Sequence, residues 1–219
     1  EVLRIRWRLS SAEAGRRLGG FTNRSGGKAP NVVVILMDDV GWGDFGCYGG
    51  GAAVGAPTPN IDALARRGLL LTSCYSEPTC TPSRASMATG RLPMRHGLLR
   101  PPMYGQPGGL EGERTLAQIL SERGYVTQAV GKWHVGQYHG VVPWERGFDR
   151  SLNAAAGGFY FPGGPRATLF LNGRESDPEL PKDWYSTDLW TQFGLGLVDE
   201  ALAAQKPFLL YVAHNAPHF

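Results

Sequence analysis

From residue 31 onward, short runs of aliphatic and β-branched residues alternate with segments whose apolar positions lie three and four apart. Asn31 to Met37 (NVVVILM) is apolar on both faces, the pattern of a central parallel strand, and it stops at Asp38 and Asp39 followed by glycines. Thr58 and Pro59 supply a cap and a first-turn proline. Ile61, Leu64 and Ala65 then have helical spacing and Gly68 ends the segment, which predicts a helix. Leu69 to Tyr75 reads as a returning strand. Thr81 and Pro82 open a further short helix through Ala88, with Cys80 beside its positive N-terminal end. Leu116, Ile119 and Leu120 mark an amphipathic helix stopped by Gly124, and Tyr125 to Val130 a strand. Residues 136 to 183 are Gly-rich and read as loop. Leu189, Phe193, Leu197 and Ala201 share one helical face, and Pro207 to Ala213 is a last apolar strand. This alternation predicts an α/β sheet with its functional residues at strand C-terminal ends.

Length and composition narrow the class. The 219 residues suit one domain or part of a larger one, and 31 glycines with 16 prolines point to long loops. His214 to Phe219 reads as the start of a loop, so the expectation is a chain truncated before the C-terminal part of its domain. The longest apolar run, Val32 to Met37, is far shorter than the ~18 residues of a membrane span. The net charge of +3 is carried by residues 1 to 30, which hold seven basic and two acidic residues and read as a disordered leader. Residues 31 to 219 therefore carry the globular part and sum to −2, which does not support a nucleic-acid surface. The leader offers no apolar signal region, so the compartment stays open. The three cysteines, Cys47, Cys74 and Cys80, cannot all pair with one another, and their spacing fits neither a zinc site nor a disulfide framework.

Pro78-Thr79-Cys80-Thr81-Pro82-Ser83-Arg84, with Thr89-Gly90-Arg91 downstream, resembles the modification motif of the sulfatase family, Cys-x-Pro-x-Arg followed by Thr-Gly. Gly124 to His134, ending Gly131-Lys132-Trp133-His134, is similar to that family's second signature, Gly-Lys-x-His. Asn31 to Asp39, Pro57 to Asp62, Arg146 to Asp149 and Phe208 to His218 agree in order, so the resemblance covers residues 31 to 219. It implies the N-terminal portion of an alkaline-phosphatase-like catalytic domain, a mostly parallel sheet flanked by helices. It also implies hydrolysis of aryl or carbohydrate sulfate monoesters. Two alternatives stay open: a phosphonate or phosphate monoester hydrolase of the same superfamily, and a catalytically inactive fragment.

The resemblance assigns roles residue by residue. Cys80 corresponds to the cysteine that a formylglycine-generating enzyme oxidises. One hydroxyl of the hydrated aldehyde attacks sulfur and displaces the alcohol, and the other then expels sulfate. Asp38 and Asp39, with modified Cys80, match ligands of a divalent metal, Ca²⁺ in preference to Mg²⁺, completed in the family by a pair far downstream. Arg84 holds the modified side chain and supports the metal ligands. Lys132 binds sulfate, His134 takes the proton of the non-attacking hydroxyl, and His218 assists departure of the alcohol oxygen. His214 reads as a local strand-end residue, His96 and His139 as rim residues, and Asp149 as a turn organiser. Cys47 and Cys74 read as separate thiols, and Trp144, Phe159, Tyr160 and Phe161 as local packing or an apolar pocket lining. The run Asn153 to Gly158 is mostly small, which argues against direct substrate contact there.

Overall fold

The computed structural model describes residues 29–102, 108–137, 140–164, 167–175, 180 and 182–218. Of the expected leader, only Ala29 and Pro30 fall within them. In chain order the elements are β1 (Val32–Leu36), α1 (Pro59–Arg67), α2 (Cys80–Thr89), α3 (Pro93–His96), α4 (Leu116–Ser121), β2 (Val126–Lys132), β3 (Arg150–Ala154), β4 (Leu169–Leu171), β5 (Arg174–Glu175), α5 (Ser186–Ala203) and β6 (Phe208–Ala213). The sheet order is β1-β6-β2-β3-β4-β5. The first four strands run parallel and the last two are antiparallel.

Alternation along the strands divides the core into two layers. Val130 of β2 and Leu210 and Val212 of β6 face α5, where Trp190, Leu197 and Ala201 meet them. Ala129 and Leu209 face the other way, toward Ala85 of α2 and Ala117 of α4. Both layers need the apolar positions of β2 and β6, which is why these strands are buried on both faces while β1 is not. Among the described residues β1 is an edge strand, with Val33 and Ile35 51% and 61% exposed. The pattern NVVVILM had predicted a central strand; α5 covers β6 and β2 and leaves this face of β1 open.

Three further expectations change. Leu69 to Tyr75 forms no strand and pairs with none of the described strands, and Leu69 and Tyr75 are exposed, so the ladder that a strand requires is missing. The Gly-rich stretch 136 to 183 holds β3, β4 and β5, whose five, three and two residues are too short to stand out as periodic runs. Thr58 does not cap α1 by its side chain. Its Oγ1 instead accepts from Gly46 N at 2.9 Å and donates to Asp62 Oδ1 at 3.0 Å, fastening the turns after β1 to the helix. None of the described helices is long and apolar enough to cross a membrane.

Candidate active site

Parallel pairing brings the C-terminal ends of β1, β6 and β2 to one edge of the sheet, so residues following each strand become neighbours. Asp38 N donates to Ala216 O at 3.0 Å and His214 N to Leu36 O at 2.9 Å, which join the segment after β6 to the end of β1. At the end of β2, Gly131 has φ 98°, and a Cβ there would lie 2.0 Å from Ala213 O. Only glycine permits this approach of β2 to β6. Asp39 and His134, at φ 62° and 56°, occupy the left-handed region, which Asp and His enter more readily than most residues.

Helix α2 delivers the next residues. Its first residue is Cys80, Pro82 sits in the first turn where its missing N–H costs nothing, and Ser83 Oγ bonds Thr79 O at 2.8 Å. Arg84 lies one turn after Cys80 on the same side of the helix. Cys80 Sγ is 3.1 Å from His134 Nδ1, and Thr81 Oγ1 donates to His134 O at 2.7 Å, so both ends of His134 are registered on α2. Cys80, Asp38, Asp39 and Arg84 line one cleft of about 250 Å³, together with Ser76 and Glu77.

Behind the cleft lies a buried ionic trio. Arg84 Nη2 is 3.1 Å from Asp38 Oδ1, and Lys132 Nζ bonds Asp38 Oδ2. Arg84 Nη1 also donates to Lys132 O at 2.9 Å. All three side chains are at most 5% exposed. Burial raises the Asp38 pKa, but Lys132 and Arg84 outweigh it and hold the carboxyl below its usual range. One carboxylate against two cations leaves the buried trio with one positive charge in excess. His134 feels it: burial first, then Lys132 and Arg84, lower its pKa to about 4, so the imidazole is neutral at physiological pH. His218 completes the group, with Nε2 3.8 Å from Asp39 Oδ2.

All seven residues expected at the site, Asp38, Asp39, Cys80, Arg84, Lys132, His134 and His218, therefore meet at this edge. Among the described residues no group of three or more His, Cys, Asp or Glu side chains is arranged to hold a metal ion. Both Asp38 oxygens face cations. Two carboxylates are hard donors of the kind Ca²⁺ takes, but they are part of its usual six to eight ligands. Fit to the cation is therefore partial.

Other residues fall outside the cleft. His214 is at the strand end, where burial lowers its pKa and its Nδ1 has no hydrogen-bond partner among the described residues. His96 Nε2 lies 3.3 Å from Ser86 Oγ, and His139 lies outside the described residues. Cys47 and Cys74 are free thiols. Asp149 Oδ2 accepts from Thr127 N at 3.0 Å and so organises the turn into β3. Phe159 packs edge-on against Trp184, and Tyr160 stacks on Tyr185.

Asn215 and Gly157 carry no signal of their own in the sequence, and Tyr160 reads there only as local packing or pocket lining. Tyr160 OH donates to His218 O at 2.6 Å, and buried Asn215 accepts from Trp190 Nε1 at 2.9 Å, so the loop bearing His218 is tied to α5. Gly157, inside the run of small residues, lies so close to Lys132 that a Cβ would be 3.1 Å from Nζ. That run shapes the lysine's position.

The family model described as Sulfatase matches residues 30–219. N-acetylgalactosamine-6-sulfatase of Canis lupus familiaris is 35% identical over 243 aligned residues, covering 97% of this chain and 44% of the relative. Arylsulfatase A of Homo sapiens is 45% identical over 130 residues, 57% of this chain and 25% of the relative. Among solved structures, Ps i-CgsB in complex with k-i-k-neocarrahexaose superimposes with a TM-score of 0.79 at 33% identity, covering 88% of this chain and 46% of that one. The chain thus spans about half the length, or less, of these relatives.

Proposed function

The chain belongs to the sulfatase family, and from that premise we propose that it carries the nucleophile side of a sulfuric ester hydrolase centre, with formylglycine made from Cys80 by a formylglycine-generating enzyme. The observation that carries this reading is the 3.1 Å contact between Cys80 Sγ and His134 Nδ1, set against a buried trio with one positive charge in excess. Formylglycine at residue 80, when hydrated, would supply one hydroxyl to attack sulfur and a second to expel sulfate from the aldehyde carbon. Asp38, Asp39 and residue 80 would hold a divalent cation, Ca²⁺ by donor type, which would neutralise sulfate oxygens.

This chain's own side chains do the rest. Lys132 and Arg84 attract the sulfate group, and the N-terminus of α2 adds its dipole in the same direction. His134, neutral and with Nδ1 directed at residue 80, would take the proton of the second, non-attacking hydroxyl there. His218 donates a proton to the departing alcohol oxygen. The balanced reaction takes one sulfate monoester and one water to an alcohol and hydrogen sulfate. The substrate class is a carbohydrate or aryl sulfate.

The test is to co-express the protein with a formylglycine-generating enzyme and read residue 80 by mass in the peptide Gly68 to Arg84. Sulfate release from p-nitrophenyl sulfate and from N-acetylgalactosamine 6-sulfate, with Ca²⁺ added, is then measured on the same preparation. Aldehyde at residue 80 with turnover of either ester, abolished in Cys80→Ala, is the expected result. Faster turnover of a phosphonate ester would transfer the reading to that class. Aldehyde without any turnover would mark this chain as inactive.

A further inference from the structure

Tyr160 is seated on α5 but reaches a residue of the active site. Ser186 N donates to Tyr160 O at 2.8 Å, which ties its backbone to the start of that helix. Its ring stacks on Tyr185, 6.0 Å between centroids and 22° between planes, and Phe161 packs on the other side of the same turn at 5.4 Å from Tyr185. One residue earlier, Phe159 is 6% exposed and meets Trp184 edge-on. Backbone and ring are thus both fixed by the start of α5, and the hydroxyl at the far end of a rigid ring is placed by them.

That hydroxyl crosses to the segment after β6, donating to His218 O at 2.6 Å between residues 58 apart in the chain. Burial first, then Tyr185, Asp38 and Asp39, raise its pKa, so it keeps the proton it donates. The segment it meets has other anchors upstream of His218. Asn215 is 1% exposed and bonds Trp190 Nε1 and Phe159 O, while Ala216 O accepts from Asp38 N at 3.0 Å. Asn215 and Ala216 are therefore held without Tyr160, and at His218 the tyrosine hydroxyl takes the backbone carbonyl. The His218 side chain is 26% exposed, so burial alone does not fix its direction.

We propose that Tyr160 is a positioning residue for His218: its hydroxyl fixes the His218 backbone and so the direction in which the imidazole meets the departing alcohol oxygen. The inference rests on the hydrolase reading for the role of His218, and it asks no substrate contact of Tyr160 itself. Its effect is selective. A sugar alcohol is a poor leaving group that needs a proton as it departs, whereas p-nitrophenolate leaves readily without one. Loosening His218 therefore changes the ratio of the two rates, while a general loss of fold lowers both alike.

Tyr160→Phe in the full chain, with residue 80 converted, tests this, since it keeps the ring stack and removes only the hydroxyl. The kcat for N-acetylgalactosamine 6-sulfate should fall about tenfold more than that for p-nitrophenyl sulfate, with each KM within about twofold of the parent. His218→Ala should give the same split, larger, and adding Tyr160→Phe to it should change the split no further. Hydrogen exchange without substrate is the second measurement. The His218 amide, which donates to Asn215 O at 2.9 Å, should exchange faster in Tyr160→Phe while the amides of β6 exchange as in the parent. Equal losses for the two esters, additive effects in the double variant, or unchanged exchange at His218 would each overturn the proposal. A parent chain that turns over neither ester would instead overturn the hydrolase reading, and exchange at His218 would then decide for or against the tether by itself.

Discussion

Asp38 is the residue on which the active-site charges depend, and its removal and that of Lys132 have unequal consequences. Asp38→Asn leaves two buried cations facing one another, an uncompensated arrangement of the kind that costs ~3–5 kcal/mol. Lys132→Met leaves a balanced Asp38–Arg84 pair, so its cost in urea unfolding should be less than half as large. Equal costs would mean that Lys132 and Arg84 do not share one carboxylate. His214 sets a pH dependence in the folded state. Because burial holds its pKa below the 6.5 usual for histidine, the unfolded chain binds its proton first as pH falls. Stability is thus fully present above about pH 6.5 and declines as pH drops toward the lowered value. His134 acts in the same direction. His214→Gln should flatten part of this decline in thermal melts taken across the acidic range; a profile identical to the parent would remove His214 from the account.

At the scale of elements, Thr115 opens α4 with a reciprocal cap, its side chain accepting from Gln118 N while Gln118 Oε1 accepts from Thr115 N at 3.0 Å. The same hydroxyl donates to Arg146 O at 2.7 Å, joining the helix to the turn before β3. Thr115→Val should cost about 1–2 kcal/mol by chemical denaturation, and a neutral result would mean that water replaces both bonds. Elements with a strong local period were readable from sequence: the strand at β2, the helix around Leu189 to Ala201 and the helix at Cys80 fall where spacing put them. β3 to β5 were not, because strands of two to five residues are defined by their partners and not by their own pattern. The same reason defeats Leu69 to Tyr75, whose pattern is right but which has no partner. Site residues were legible because they stand in short motifs. Gly157 was not, since a glycine among alanines acquires meaning only from what it faces, here the Lys132 side chain.

For the whole molecule, the open face of β1 is the feature most exposed to solvent chemistry. Ile35→Lys should change stability in chemical denaturation by no more than about 0.5 kcal/mol; a cost of several kcal/mol would mean that this face is covered. The sheet also joins chain segments made far apart in time. Phe208 N reaches Asn31 Oδ1 across 177 residues, and among the described strands β6 is the only partner β1 has. At ribosomal speeds of ~5–20 residues per second, β1 waits roughly ten to thirty-five seconds for that partner. During this interval the β-branched run is a free nascent segment, and Asp38 has no sheet to anchor it. The constellation around Cys80 is therefore assembled only once β6, the latest of the described strands in chain order, has reached β1.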